Sequence, residues 1–523
     1  MKKLKDNSSF PILFTLALFS QFKHLTATQL SSFLIKINKS DNIFDDPSTW
    51  ITEVSERYGF SAHRLNIHQA KEKAKQWLEN GVFVLFIGEQ VLFAQGNPEI
   101  LNSSKAAVLN SHKLRAVTPT TRWLKVTIKL TQQVIAKKLT IVSSLGMLTY
   151  EIVTFIAKQL HSPVIIVLDE YLPGVLTPDL QKAFYDKFSN MFRLEKTLFI
   201  SPFLPEITLP SRKERLVTRD YWVVALAEYL FVAEACAQGN IQRLVAKSFS
   251  EKKKVTVFRP TRFDQNTKGN QNLLLSGAES LEVGSVIDTP LQTVEVGSVT
   301  DTPLHPVELD MVKLDEYLFH YTRACPGPWP GQSLSAYIQS LIAGESDAGH
   351  TAFDTLCRIL KEKLIRASNR LIRGKTSVTS FTACLPNELI KIRKWNPALI
   401  RWTFEPYGIG IRRNILKKMA IKPVIYAPES KFKKLPATER FRFQLHHLSK
   451  SDWTSEKEWR IPGDVLLNQI SPEDMVIVVF TLQEATIIRE NFRLPVILGN
   501  RSGLYIRSVN KEKWGKGRIG EMA

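Results

Sequence analysis

Short apolar runs recur at regular intervals between residues 105 and 260. Each run is four or five residues long and rich in Val, Ile, Leu or Phe, and amphipathic stretches of helical length fill most of the gaps. This rhythm is typical of a parallel sheet that is buried on both faces by helices. The sequence therefore predicts an α/β, Rossmann-like sheet with the strands Ala106–Leu109, Leu139–Val142, Val164–Leu168, Thr197–Ile200, Leu230–Ala233 and Val255–Phe258.

Residues 1–88, which precede this sheet, have a helical pattern. Apolar positions recur at helical spacing in Thr26–Leu34 and Asn66–Leu78, and Asp46–Thr49 is typical of a helix start. The apolar stretch Phe10–Phe19 is too short to span a bilayer, and no small-residue cleavage site follows it. We therefore expect an N-terminal helical extension with a buried first helix, in a cytoplasmic protein without a membrane partner. A hairpin at residues 81–94 is expected to lead into the sheet.

Residues 261–309 carry the clearest domain boundary. The sequence Glu-Val-Gly-Ser-Val-x-Asp-Thr-Pro-Leu occurs twice in this segment, starting at Glu282 and at Glu295. Gly, Ser, Thr and Pro at turn positions favour a linker, and a two-rung β element is the alternative. The sequence thus predicts a helical extension (1–88), a Rossmann-type domain (89–260), this linker, a second domain (310–509) and a basic tail (510–523).

The second domain shows short strand-like runs grouped after a helix, which predicts an α+β fold. The helix is expected over Ala352–Arg373, and four basic residues would share one of its faces, namely Lys363, Arg366, Arg370 and Arg373. That face is either a solvated stripe or a track for phosphates. Aromatic residues such as Trp395 and Trp402 lie near further basic residues, which suits either base stacking or core packing. The strand-like runs are Ser377–Thr382, Ile400–Phe404, Pro423–Tyr426, Trp459–Ile461 and Met475–Thr481.

The charge balance favours a polyanionic partner. Lys and Arg outnumber Asp and Glu by 70 to 50, which gives a net charge of +20 at pH 7. Nucleic acid, a nucleotide or an acidic surface would fit this charge, and a basic surface without a dedicated partner is the alternative. The four cysteines lie far apart without a CxxC motif, so we expect reduced thiols and neither a disulfide framework nor a metal site.

The predicted sheet is poor in glycine. Parallel sheets bind ligands outside the carboxyl ends of their strands, where close approach of backbone N–H groups to a phosphate usually requires Gly. Residues 105–260 contain only Gly146, Gly174 and Gly239. We therefore expect side chains rather than backbone N–H groups to hold a ligand, which favours a loosely held polyanion over a tightly held mononucleotide.

Five segments follow one another in an order that resembles the DNA-processing protein DprA family, within the SLOG group of Rossmann-like domains. They are Val91–Asn97, Val108–His112, Ile141–Gly146, Arg212–Arg215 and Phe231–Ala235. The resemblance covers about residues 10–260 and implies binding of single-stranded DNA or a nucleotide ligand. Asn110, Ser144 and Leu148 stand where the family has Gly, and His112 stands where it has Arg.

The resemblance implies a binding site built from three short segments. Hydroxyl and basic side chains follow the first two strands, and a dense basic cluster lies further along the chain. Arg forks suit phosphate groups, and affinity would fall as salt is added. The alternative is a scaffold that only packs, or that pairs as a homodimer. The candidate binding residues are Ser111, His112, Lys113, Ser143, Ser144, Arg212, Lys213 and Arg215.

The second domain resembles ADP-ribosyltransferase-like domains over about residues 316–482. The resemblance rests on His320-Tyr321, on Ser380-Phe381 and on the stretch Trp453–Arg460. It implies NAD as substrate, with no cofactor certain, and a protein or nucleic-acid target for the transferred ADP-ribose. The implied catalytic residues are His320, Tyr321, Ser380, Glu456 and Glu458.

These residues suit cleavage of a nicotinamide glycosidic bond. Glu458 would stabilise the oxocarbenium-like state, and Glu456 would act on the acceptor side. His320 would bond a ribose hydroxyl, Tyr321 would stack on nicotinamide, and Ser380 would support Glu458. Alternation along a strand would place Glu456, Glu458 and Arg460 on one face. The alternative is an edge strand with alternating charges.

Two functions from different classes therefore stand side by side. The first is a DNA-processing protein that binds single-stranded DNA or a nucleotide ligand through its Rossmann-type domain. The second is an ADP-ribosyltransferase effector, as in a toxin or anti-phage defence, in which the first domain senses a nucleotide. A scaffold in which neither site acts is the third interpretation.

Overall fold

The computed structural model describes residues 2–3, 6–21, 26–39, 66–111, 117–281, 313–370, 372–373, 376–396, 401–446, 454–500 and 503–505. The chain divides into two compact units. The first comprises Met1–Lys113, Pro119–Thr293 and Pro330–Glu345, and the second comprises Leu114–Thr118, Val294–Trp329 and Ser346–Ala523. The predicted helix start at Asp46–Thr49, both repeats and the basic tail lie outside the described residues.

The first unit contains a ten-stranded sheet. Its order is β1-β2-β3-β7-β6-β5-β4-β8-β9-β10. The seven strands β4 to β10 are all parallel to one another, whereas β1, β2 and β3 are antiparallel to their neighbours. These strands are β1 (Lys2–Lys3), β2 (Val82–Ile87), β3 (Gln90–Gly96), β4 (Lys105–Leu109), β5 (Thr140–Ser144), β6 (Val164–Val167), β7 (Thr197–Ser201), β8 (Tyr229–Val232), β9 (Lys254–Phe258) and β10 (Glu279–Leu281).

The fold class predicted from the sequence is confirmed. Each of the six apolar runs forms a strand of this sheet, and residues 81–94 form the β2–β3 hairpin. Every residue of β4, β5, β6 and β7 is buried, because helices cover both faces of a parallel sheet. Each buried Val, Leu or Ile side chain stabilises the fold by roughly 1.5–3 kcal/mol.

Ten helices of the described chain belong to the first unit. The first is buried, as expected: Ile12, Leu13 and Leu16 are at most 1% exposed, and the helix packs against α3 and β2. No helix in the described ranges is long and apolar enough to cross a membrane. The helices are α1 (Asp6–Phe19), α2 (Ala27–Lys39), α3 (Ile67–Glu79), α4 (Arg122–Ala136), α5 (Leu148–Gln159), α6 (Pro178–Lys187), α7 (Arg212–Leu226), α8 (Asn240–Ser248), α9 (Lys268–Leu275) and α10 (Leu334–Ala343).

The second unit contains an eight-stranded sheet. Its order is β17-β20-β13-β11-β16-β22-β23-β24, and all neighbours are antiparallel except β22 and β23. The strands are β11 (Tyr317–Tyr321), β13 (Val378–Thr382), β16 (Gly408–Arg412), β17 (Lys422–Pro423), β20 (Glu458–Pro462), β22 (Met475–Val479), β23 (Val496–Asn500) and β24 (Gly503–Tyr505). The strands β12 (Leu364–Ile365), β14 (Trp395–Asn396), β15 (Arg401–Trp402), β18 (Ile425–Ala427), β19 (Phe443–Leu445) and β21 (Val465–Leu466) form two-stranded pairs.

Five helices accompany this sheet in the described chain, namely α11 (Ala352–Glu362), α12 (Pro386–Ile392), α13 (Arg413–Lys418), α14 (Glu429–Lys434) and α15 (Leu482–Phe492). The helix predicted over Ala352–Arg373 is too long, because Lys363 adopts a left-handed conformation with φ of 52° and the chain then enters β12. The expected face of four basic residues is therefore wrong. Instead, Arg366 pairs with Glu362 at 3.2 Å, and Arg373 pairs with Glu429 at 2.6 Å.

Candidate nucleic-acid interface and carboxylate site

A basic cluster lies at the start of α7. Ser211 caps this helix in a capping box with Glu214, which fixes the direction of its first turn. Arg212 and Lys213 are exposed, whereas Arg215 is half-buried. The Glu214 carboxylate, which accepts from the Ser211 backbone N–H at 3.0 Å, offsets the partial positive charge of this helix N-terminus, so the side chains carry the attraction for anions. We call Arg212, Lys213 and Arg215 the basic cluster.

Arg215 lies at the carboxyl edge of the parallel sheet. Burial and the neighbouring Asp169 raise the pKa of Glu170, in the segment after β6, whereas the charge of Arg215 acts in the opposite direction. The guanidinium therefore lies close to the end of that strand. Its Nε is buried and has no hydrogen-bond partner among the described residues, so this donor has no counterpart within that part of the protein.

The loops after β4 and β8 meet where the strand order reverses. In open parallel sheets this is where ligands usually bind. The backbone N–H of Ser111 donates to the carbonyl of Glu234 at 2.7 Å, and its hydroxyl accepts from the N–H of Cys236 at 3.0 Å. The Ser111 side chain thus ties the two loops together. His112 and Lys113 lie outside the described residues.

An ion-pair cluster in the same place carries no clear sequence signal. Arg122, the first residue of α4, donates from Nε to Glu234 at 2.6 Å and from Nη2 to Asp264 at 2.8 Å. The Glu234 side chain is only 3% exposed, so a cation beside it offsets much of the cost of burying its charge. Along the chain, Arg122 lies 112 positions from Glu234 and 142 positions from Asp264, so a local motif cannot reveal these pairs.

The side chains of Ser143 and Ser144 face the protein interior. Both residues are fully buried. The hydroxyl of Ser143 donates to the carbonyl of Tyr150 at 2.9 Å, and that of Ser144 donates to the carbonyl of Val167 at 2.6 Å. In this arrangement both hydroxyls are used within the fold, and neither reaches the surface.

The backbone N–H group that would face a phosphate after β5 is already bonded. Gly146 has φ of 80°, a conformation that suits glycine, and its N–H donates to the Glu151 carboxylate at 3.0 Å. Burial raises the pKa of Glu151. A carboxylate of α5 itself thus occupies the position that an anionic ligand would take.

A second buried network connects α5, α7 and α8. Asp220 accepts from the Tyr150 hydroxyl at 3.1 Å, from Arg219 at 2.8 Å and from Asn240 at 3.1 Å. The Arg219 guanidinium lies 5.1 Å from the centre of the Tyr150 ring. Because this network fixes α7 against its neighbours, it also fixes the direction of the basic cluster one to two turns earlier.

In the second unit, three predicted catalytic residues lie on adjacent strands. His320 is on β11, Ser380 on β13 and Glu458 on β20. The Nδ1 of His320 lies 2.8 Å from the carbonyl of Ser380, and the Ser380 hydroxyl donates to Glu458 Oε1 at 2.8 Å. The three residues therefore form one connected group, in which Ser380 uses its backbone carbonyl toward His320 and its hydroxyl toward Glu458.

Arg460 holds the Glu458 carboxylate. Its Nε and Nη2 donate to the two carboxylate oxygens at 2.8 and 2.9 Å, and its Nη1 donates to the carbonyls of Phe441 and Phe443. This bidentate pair fixes the orientation of the Glu458 side chain. The hydroxyl of Tyr426 accepts from the Glu458 backbone N–H at 3.0 Å.

Glu456 does not lie on the strand with Glu458 and Arg460, so the expected common face is wrong for this residue. It ends a short 3-10 turn, and Lys457 has φ of 43° before β20 begins. Burial and the neighbouring charge of Glu458 raise the pKa of Glu456 to about 7. A carboxyl group with this pKa exchanges protons readily near neutral pH.

His320 is a neutral imidazole, since burial lowers its pKa to about 4. A carbonyl oxygen can only accept, so Nδ1 carries the proton and Nε2 is free to act as an acceptor. Tyr321, by contrast, is buried: its ring stacks on Phe319 at 5.7 Å and its hydroxyl donates to the carbonyl of Cys384. The structure therefore places Tyr321 in the core beside the site.

One family model matches a part of the first unit. Residues 89–289 match the model of the family described as DNA recombination-mediator protein A. This match contains β3–β10 and the basic cluster, and it covers more than a third of the chain. The search of curated proteins found no match.

Three solved structures are similar to parts of the chain. DNA processing protein A from Helicobacter pylori, described for its single-stranded DNA binding mode, is 16% identical, with 36% of this chain and 81% of that chain covered and a TM-score of 0.28. DprA from Streptococcus pneumoniae is 17% identical, with 54% and 95% covered and a TM-score of 0.33. A molybdenum cofactor binding protein from Rippkaea orientalis is 12% identical, with 34% and 88% covered and a TM-score of 0.23.

Proposed function

We propose that the first unit binds single-stranded DNA at the carboxyl edge of its parallel sheet, as a DNA-processing protein. The observation that carries this proposal is the basic cluster at the start of α7, within the region that matches the DNA recombination-mediator family. Its guanidinium and ammonium groups would contact phosphates.

The loops around the cluster favour a polyanion over a mononucleotide. A tightly held nucleotide needs a cradle of free backbone N–H groups, yet the N–H of Gly146 donates to Glu151. The hydroxyls of Ser143 and Ser144 are buried and donate to carbonyls. Contact between exposed cations and the phosphates of a single strand requires neither free backbone N–H groups nor free hydroxyls. His112 and Lys113 remain candidates for further contacts.

A mobility-shift titration with labelled oligo-dT tests this proposal. The wild-type protein is expected to shift the oligonucleotide at low salt, and Arg212→Ala combined with Arg215→Ala is expected to weaken binding at least about tenfold. An absence of any shift by the wild-type protein at low salt would overturn the proposal.

A second candidate function is NAD-dependent ADP-ribosyl transfer by the second unit. The connected group of His320, Ser380 and Glu458 favours it, because two hydrogen bonds of 2.8 Å join the three residues. Glu458, oriented by Arg460, would stabilise the oxocarbenium-like state as the glycosidic bond breaks and nicotinamide leaves with the electron pair. His320 Nε2 would accept from a ribose hydroxyl, and Glu456 would take the proton from an acceptor on a protein or nucleic-acid target.

Release of nicotinamide from labelled NAD tests the second candidate. Glu458→Gln is expected to lower release by at least about a hundredfold, since the electrostatic stabilisation of the cation is lost. Glu490→Gln, which changes an exposed carboxylate on α15, is the matched control. Equal release by the wild-type protein and Glu458→Gln would remove Glu458 from the mechanism.

A further inference from the structure

A short hairpin in the second unit pairs two tryptophans. Trp395 of β14 lies directly opposite Trp402 of β15, and their rings meet edge to face with centroids 5.4 Å apart. The hairpin continues through Lys394, whose carbonyl accepts from the backbone N–H of Thr403 at 2.8 Å. We call Lys391–Trp395, which runs from the end of α12 into β14, together with Arg401–Trp402 of β15, the tryptophan hairpin.

The tryptophan hairpin presents an aromatic surface to solvent. Trp395 is 40% exposed, which is unusual for so large an apolar side chain. The Arg393 guanidinium lies 3.9 Å from the centre of the Trp402 ring, within the range of a cation–π interaction. This stacking and the edge-to-face contact hold the rings in place, so binding would cost little ordering of side chains.

Basic residues outnumber acidic ones around these rings, although Glu388 lies within electrostatic reach of Lys391 and Glu456 within reach of Lys394. Residues 389–404 contain four basic residues and no Asp or Glu, together with two tryptophans and one phenylalanine. Lys391 and Lys394 are exposed. Proteins that bind single-stranded nucleic acids use exposed aromatic rings interleaved with cations, because unpaired bases stack on the rings while phosphates contact the cations. Paired bases in a duplex do not offer their faces in this way.

We propose that the tryptophan hairpin is a second contact site for single-stranded DNA, with a base stacked on Trp395 and neighbouring phosphates at Lys391 and Lys394. The proposal goes beyond the function of the first unit, and it does not depend on the basic cluster. It assigns the second unit its own role in binding a strand, whether or not that unit transfers ADP-ribose.

The test compares two fluorescent oligonucleotides of equal length, oligo-dT and an abasic strand with the same phosphates. Full-length protein in which Arg212, Lys213 and Arg215 are all changed to Ala is used, so that binding by the first unit does not mask the result. In this background, Trp395→Ala is expected to weaken binding of oligo-dT at least about fivefold and to leave the abasic strand within about twofold. Trp395→Phe, which keeps a ring, is expected to recover most of the affinity.

Leu466→Ala, at another exposed apolar position of the second unit, is the control and should change neither affinity. Circular dichroism establishes that each variant is folded. Equal loss for both strands, or no loss for either, would overturn the proposal. Competition by a poly-glutamate peptide as strong as that by oligo-dT would also overturn it, because the hairpin would then recognise negative charge alone.

Discussion

The Glu151 carboxylate accepts a hydrogen bond of 3.0 Å from the backbone N–H of Gly146, at the beginning of α5. A helix N-terminus after a parallel strand normally attracts an anionic ligand. In this protein the helix supplies its own anion, so a phosphate would have to displace a carboxylate. This contact explains in one step why we assign binding to the side chains of the basic cluster.

Removal of this negative charge should strengthen binding of single-stranded DNA. Glu151→Gln keeps an oxygen acceptor for Gly146 but removes the charge at the edge where the strand would lie. We expect oligo-dT to bind about two- to fivefold more tightly at low salt. Fluorescence anisotropy measures the change, and Glu251→Gln, at the opposite edge of the sheet, is the control. Weaker binding by Glu151→Gln would contradict this assignment.

The salt dependence of binding should report the number of phosphate contacts. Three contacts to a single strand predict a slope of about −2 in a plot of log K against log salt concentration. Arg215→Ala should reduce the magnitude of the slope by about 0.7, because one contact is lost. An unchanged slope in Arg215→Ala would show that this guanidinium does not meet a phosphate.

The buried network around Asp220 should contribute strongly to stability. Arg219→Met removes a cation that is 3% exposed and leaves the Asp220 carboxylate with neutral donors only. We expect the free energy of unfolding to fall by about 2–4 kcal/mol, because one partner of a buried ion pair is lost. Chemical denaturation measures it, with Val217→Ala on the exposed face of the same helix as control. A loss no larger than that of the control would refute this role.

Glu456 should make stability depend on pH. Its pKa is raised in the folded state, so the folded protein binds the proton more tightly, and this stabilisation is lost as pH rises from 4.5 to about 7. The free energy of unfolding of Glu456→Gln is therefore compared with that of wild type. The difference should favour the variant by about 1–2 kcal/mol more at pH 8 than at pH 5, after allowance for solvent screening.

His320 acts in the opposite direction, because burial lowers its pKa and its contribution is lost as pH falls towards 4. The pH profile of the wild-type protein alone therefore cannot isolate Glu456. The comparison of wild type with Glu456→Gln at both pH values does so. A stability difference between the two proteins that is the same at pH 5 and pH 8 would contradict the raised pKa.

Hydrophobic pattern predicts the first sheet well, because a buried parallel strand must be apolar along its whole length. It does not predict which way a polar side chain points on such a strand, and both Ser143 and Ser144 are buried although they alternate along β5. Sequence analysis also misses non-glycine residues that adopt the left-handed backbone conformation. Lys363 ends α11 and Lys457 separates Glu456 from β20, each with a positive φ and no sequence signal for it.

The contacts that matter most to the candidate sites join distant positions. Arg122 and Glu234 are 112 residues apart, and Ser380 and Glu458 are 78 apart. The order of motifs does indicate that His320, Ser380 and Glu458 belong together, but only the strand order β11-β13-β20 shows how they meet. The Arg460 pairing that orients Glu458 follows from the same register, in which Ser380 lies opposite Arg460.

We propose that single-stranded DNA binds at the carboxyl edge of the first sheet through the basic cluster, and a comparison of dissociation constants between two triple variants tests this proposal. Arg212, Lys213 and Arg215 are changed to Ala in one protein, and Lys137, Lys138 and Lys252, which precede strands at the amino edge, are changed to Ala in another. Both lose three positive charges. Anisotropy with oligo-dT at one low salt concentration should show at least about tenfold weaker binding for the first variant and less than about threefold for the second. Equal losses in the two variants would contradict the account.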